Sequence, residues 1–128
     1  MRLLLDTHLL LWALGDPAQL PATARQGILD PANEVLFSAA SIWEIAIKTE
    51  LGRADFAVKP EDIARAAVES GFDELPVSAQ HAALTARLPR HHRDPFDRLL
   101  VAQAMTEPAR LLTVDAALRR YSELVVVL

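Results

Sequence analysis

The sequence predicts an α/β fold, with a mainly parallel central sheet flanked by helices in a single domain over residues 1–128. Two observations carry this expectation. Short apolar runs, "RLLL", "VLFS", "RLLTV" and "LVVVL", are separated by longer stretches of helical composition, and such alternation is the pattern of parallel strands joined by crossover helices. The runs are also apolar without interruption, as buried strands are.

In order along the chain, Arg2 to Leu5 forms the first strand and ends in Asp6. "HLLLWALG" at 8–15 and "PATARQGIL" at 21–29 are helical, with Gly15 and Pro17 as the stop between them. The turn-like "DPAN" at 30–33 leads into a second strand, Val35 to Ser38. Ser38 can cap a helix running to Lys48 or Leu51, which Gly52 ends. "KPEDIARAAVESG" is an amphipathic helix over 59–71, with Ile63, Ala67 and Val68 on one face. "FDELPVS" is short and strand-like, and "SAQHAALTARL" is a further helix capped by Ser78. The next helix begins at Asp94 or Pro95, runs through "FDRLLVAQAM" and stops before Pro108. Being apolar on nearly every side, it reads as central and buried. Arg110 to Val114 is then a strand ending in Asp115, "AALRRY" a short helix, and "LVVVL" the last strand.

Composition narrows the function classes. Apolar residues are 52% and charged residues 23% of 128, which excludes disorder and leaves room for one real core. With no cysteine, disulfides and thiolate zinc sites are excluded. A net charge of −4 means that a nucleic acid must be held by a local patch, because the overall field repels phosphate. "MRLLLDTHLLLWALG" has one basic residue and an apolar run, but Asp6, Thr7 and His8 interrupt it and no small-residue cleavage site follows. No stretch is long and apolar enough to cross a bilayer, so the chain reads as cytoplasmic.

The chemistry lies in four acids. Asp6 and Asp115 each follow a strand, where sheets of this class build their sites. Asp97 stands in the first turn of a buried helix, and Glu44 shares a narrow polar stripe with Ser41 and Lys48 on an otherwise apolar one. Each has a plainer reading: Asp6 and Asp115 as helix caps, Glu44 as an i,i+4 partner of Lys48, Asp97 as an acid complementing a helix dipole. Taken together, they form a cluster whose mutual repulsion a divalent cation would relieve. Oxygen ligands without Cys point to Mg²⁺ or Mn²⁺, one or two ions, and to phosphodiester hydrolysis.

"LLLDTHLLLW", "FSAASIWEIAIK", "HHRDPFDRLLVAQA" and "LLTVDAAL" occur in the order and spacing of the PIN-domain nucleases. Over essentially its whole length the chain resembles a VapC-type toxin of a type II toxin–antitoxin pair. The resemblance implies a metal-dependent endoribonuclease that hydrolyses RNA with metal-activated water, with Asp6, Glu44, Asp97 and Asp115 as catalytic metal ligands. It also implies a cognate antitoxin and a homodimer. Within "DPFD" it makes Asp97 the ligand and leaves capping to Asp94. Thr7 and Thr113 are candidates to orient the acids, against backbone hydrogen bonding at strand ends. Lys48 and Arg98 are candidates for phosphate contact, against ion pairing with neighbouring acids. The run Arg90, His91, His92, Arg93 reads as a solvated loop that still offers a positive patch. His8 and His81 read as packing or surface residues, and Trp12 and Trp43 as core or interface. A catalytically inactive binding module on the same fold is an alternative. A haloacid-dehalogenase-like phosphatase fits poorly, because the second Asp that it needs two residues after Asp6 is His8.

Overall fold

The computed structural model describes residues 1–53 and 56–128. Five strands form one sheet in the order β3-β2-β1-β4-β5, and every pairing is parallel. The strands are β1 (Arg2–Leu5), β2 (Glu34–Ser38), β3 (Asp73–Leu75), β4 (Arg110–Thr113) and β5 (Val125–Val127). The helices are α1 (Thr7–Gly15), α2 (Ala22–Leu29), α3 (Ala39–Glu50), α4 (Pro60–Glu69), α5 (Ala79–Leu84) and α6 (Pro95–Thr106). The chain winds outward from β1 through β2 to β3, then returns to lay β4 on the other side of β1. Strand order therefore reverses between β1 and β4, and a crevice opens at their carboxyl ends.

Both faces of the sheet are covered. Because side chains alternate along a strand, Leu3 and Leu5 point to one side with Val35, Phe37 and Leu112, where α1, α2 and α4 contribute Leu9, Leu10, Ala24 and Ala67. Leu4, Leu36 and Leu111 point to the other, against Leu100, Val101 and Ala104 of α6. Burial on both sides is why the strand sequences show no polar alternation.

Local chemistry sets most boundaries. Asp6, Ser38, Ser78 and Asp94 each accept a backbone N–H with the side chain at a helix start. Gly52 and Gly71 follow helix ends with φ of +74° and +88°, a conformation that L side chains rarely adopt. Two expectations need correction. The strand expected to reach Val114 ends at Thr113, because Asp115 turns its carboxyl to Ala117 N–H and starts a turn. The short helix expected at "AALRRY" follows over Ala116–Tyr121, as a 3₁₀ helix. Val68 is 59% exposed: one residue is a rotation of about 100°, which carries it off the face that Ala67 buries.

Candidate active site

At the end of β1, Asp6 has both of its oxygens engaged. Oδ1 accepts the Leu9 N–H at 2.9 Å and so caps α1, while Oδ2 accepts the Thr113 hydroxyl from β4 at 2.6 Å. Burial pushes its carboxyl up, with a smaller push from the Glu44 charge. The bonds from Thr113 and Leu9 and the nearby His8 pull the other way. Beside it, the Thr7 hydroxyl donates to Glu44 Oε1 at 2.6 Å and lies 3.0 Å from the Ser41 hydroxyl. Glu44 Oε2 pairs with Lys48 one turn along α3. Glu44 is 3% exposed, so this pair is no surface ornament. Lys48 also rests on the Phe56 ring, 4.9 Å from its centre.

Helix α6 enters from the opposite side. Asp94 Oδ1 accepts the N–H groups of Phe96 and Asp97, so the cap is made by Asp94 and not by the Asp97 carboxyl. Burial first, then the charges of Asp94, Glu44 and Asp6, push Asp97 up to about 7, with His92 opposing. This repulsion draws three segments of chain into one electrostatic unit. Asp115 joins through two links. Its N–H donates to Thr113 Oγ1 at 3.0 Å, and its Oδ2 lies 2.8 Å from His92 Nε2. His92 Nε2 is also 3.5 Å from Asp97 Oδ2.

Among the described residues, His92, Asp97 and Asp115 form the one group of three or more possible ligand atoms all within 4.8 Å of one another. Asp6 and Glu44 stand behind them, near enough to raise Asp97. The donors suit a hard divalent cation: carboxylate oxygens predominate, thiolates are absent from the chain, and the repulsion on Asp97 is what a double positive charge would relieve.

Residues 3–124 match the family described as the PIN domain. The chain belongs to the PIN-domain family. Within the family it is 32% identical over 122 residues to Ribonuclease VapC22 of Mycobacterium tuberculosis, a match covering 92% of this chain and 90% of that one. The crystal structure of VapBC2 from Rickettsia felis, bound to a DNA fragment from their promoter, shares the fold. Its TM-score is 0.70 at 16% identity, covering 99% of this chain and 97% of that one.

The PIN domain moves some residues from where sequence reasoning placed them and decides others that it had left open. His92, expected in a solvated loop, sits between two acids, and no local pattern could have marked it because its partner Asp115 is 23 residues away. Arg98 donates to the carbonyls of Thr85, Leu88, Pro89 and His92 and to the Tyr121 hydroxyl, so its guanidinium holds the loop before α6. Thr7 and Thr113 bond to carboxylates of the site. His81, buried, closes a capping box with Ser78 and meets Glu107 at 2.7 Å, a packing role. Trp43 is 60% exposed and meets the Phe96 ring edge-on. It is therefore not a core residue.

Proposed function

We propose that this chain is an endoribonuclease, the toxin of a toxin–antitoxin pair, in which Asp6, Glu44, Asp97 and Asp115 hold one or two Mg²⁺ or Mn²⁺ ions. The observation that supports this most directly is the convergence of acids where strand order reverses: Asp97 and Asp115 have ligand atoms within 4.8 Å of one another, and Thr113 ties Asp6 to Asp115.

When bound, a divalent cation acidifies water and stabilises charge on the phosphate and the leaving oxygen. The remaining roles belong to side chains. Thr113 holds Asp6 by Oδ2 and Thr7 holds Glu44 by Oε1, which fixes the orientation of both carboxylates. Lys48, paired with Glu44, is the residue assigned to a substrate phosphate on this reading. Arg90 and Arg93 line an open cleft together with His92 and have no acidic partner among the described residues. They give RNA the local positive patch that a chain of net charge −4 otherwise lacks. Arg98 acts by positioning their loop, not by touching phosphate.

The toxin role extends to this chain what the names of its relatives print, VapC22 as a ribonuclease and VapBC2 as a complex. A cognate antitoxin and self-association into a homodimer belong to that reading. So does action in the cytoplasm; no helix among the described residues is long and apolar enough to cross a membrane. The test is cleavage of total cellular RNA by antitoxin-free protein with Mg²⁺, with Mn²⁺ and with chelator, beside Asp97→Asn. Metal-dependent cuts at discrete sites, lost in the variant, are expected. Equal cleavage by the variant would remove Asp97 from the catalytic set, and no cleavage by folded wild type in either metal would favour a binding module.

A further inference from the structure

We infer that His92 serves the site as a hydrogen-bond donor that aims Asp115 and is not itself a ligand of the ion. This rests on the four-acid reading above and deepens it. His92 Nδ1 accepts the backbone N–H of Asp94 at 3.0 Å. An amide N–H can only donate, so Nδ1 must carry the lone pair and the proton of the neutral ring resides on Nε2. That nitrogen lies at hydrogen-bond distance, 2.8 Å, from Asp115 Oδ2, while Asp97 Oδ2 stands farther off at 3.5 Å.

A ring nitrogen that carries its proton has no lone pair to give a cation. For Nε2 to ligate, the proton would have to move to Nδ1 and face the Asp94 N–H, turning a hydrogen bond into two opposed donors. The surroundings resist such a rearrangement. The His92 N–H donates to the Tyr121 hydroxyl at 2.9 Å, and the His92 carbonyl is held by Arg98. Asp94 thereby has two tasks, since its carboxyl caps α6 while its N–H selects the tautomer of His92. The consequence is a metal site built from oxygen alone although a histidine stands within it, and oxygen-only sites prefer Mg²⁺ and Mn²⁺ to zinc. Partners that orient a ligand in this way are worth about 10–100-fold in metal affinity.

Three variants and two spectra decide the matter. Gln at this position can put an amide N–H where Nε2 stands, whereas Asn reproduces only the acceptor at Nδ1. In titrations of metal-free protein, His92→Asn and His92→Ala should weaken Mn²⁺ binding by roughly tenfold or more, and His92→Gln should stay near wild type, with thermal melts showing all three folded. Nitrogen-15 NMR of the metal-free wild type should show the Nε2–H tautomer at His92. Pulsed EPR of the Mn²⁺-loaded wild type should show no directly coordinated imidazole nitrogen. A coordinated nitrogen, the Nδ1–H tautomer, or a His92→Gln loss as large as that of His92→Ala would each overturn the inference. Should wild type bind no Mn²⁺ at all, the four-acid reading falls and this one with it, whereas Mn²⁺ bound through nitrogen defeats this one alone. If a variant fails to fold, the two wild-type spectra still decide.

Discussion

Asp97 shows at the scale of one residue how stability and chemistry oppose each other. Its carboxyl is raised from 3.8 to about 7, so the folded state holds the proton more tightly than the unfolded state does. For this group, stability of the metal-free protein is fully present below about pH 4, is lost as pH rises through the 4–7 window, and levels off above it. Asp97→Asn should remove that slope. At pH 8 the variant should be about 1–3 kcal/mol more stable than the parent by urea denaturation in chelator, while losing cleavage and any stabilisation by Mn²⁺. A less stable variant would contradict the repulsion described here. The two threonines give a second prediction. Thr113→Val leaves buried Asp6 Oδ2 without its donor and should weaken Mn²⁺ binding by about tenfold in titration calorimetry. "DPFD" could be divided between capping and chemistry from its residues and the family resemblance, because a cap acts over three positions. The partners of Thr113 and His92 are 107 and 23 residues distant, beyond any local pattern.

Among elements, α6 and the loop before it matter most. Asp94→Ala removes the acceptor for Phe96 and Asp97 N–H and should cost about 1 kcal/mol, read as a lower midpoint in urea. Arg98 binds the loop to the helix through four carbonyls and one hydroxyl. Arg98→Ala should therefore expose Arg87, Arg90 and Arg93 to trypsin at rates well above those of the parent, in limited digestion followed by mass spectrometry; unchanged digestion would remove the positioning role. Element boundaries were legible within a residue or two wherever a capping residue marked them, as at Ser38, Ser78 and Asp94. The seven-residue "FDELPVS" narrowed to three strand residues, because the extent of an edge strand depends on how much of its neighbour it pairs with, and that is not written in its own residues.

For the whole molecule the governing quantity is charge. On the proposal that Arg90 and Arg93 hold RNA, a chain of net −4 should lose affinity for it steeply with salt. Replacing both by Glu should weaken binding to an uncleavable RNA and flatten the slope of log affinity against log salt by about two. An unchanged slope would place the RNA elsewhere. The sequence by itself determined the α/β class, nearly every strand and helix, and the four candidate acids, because apolar periodicity, caps and turn residues act over a few positions and are legible there. The tertiary structure alone decided that β4 pairs with β1, that His92 turns inward between Asp97 and Asp115, and that Arg98 turns to its own loop. Those outcomes depend on which distant surfaces pack together once both faces of the sheet are covered, a balance of long-range burial and hydrogen bonding that no short stretch of the chain encodes.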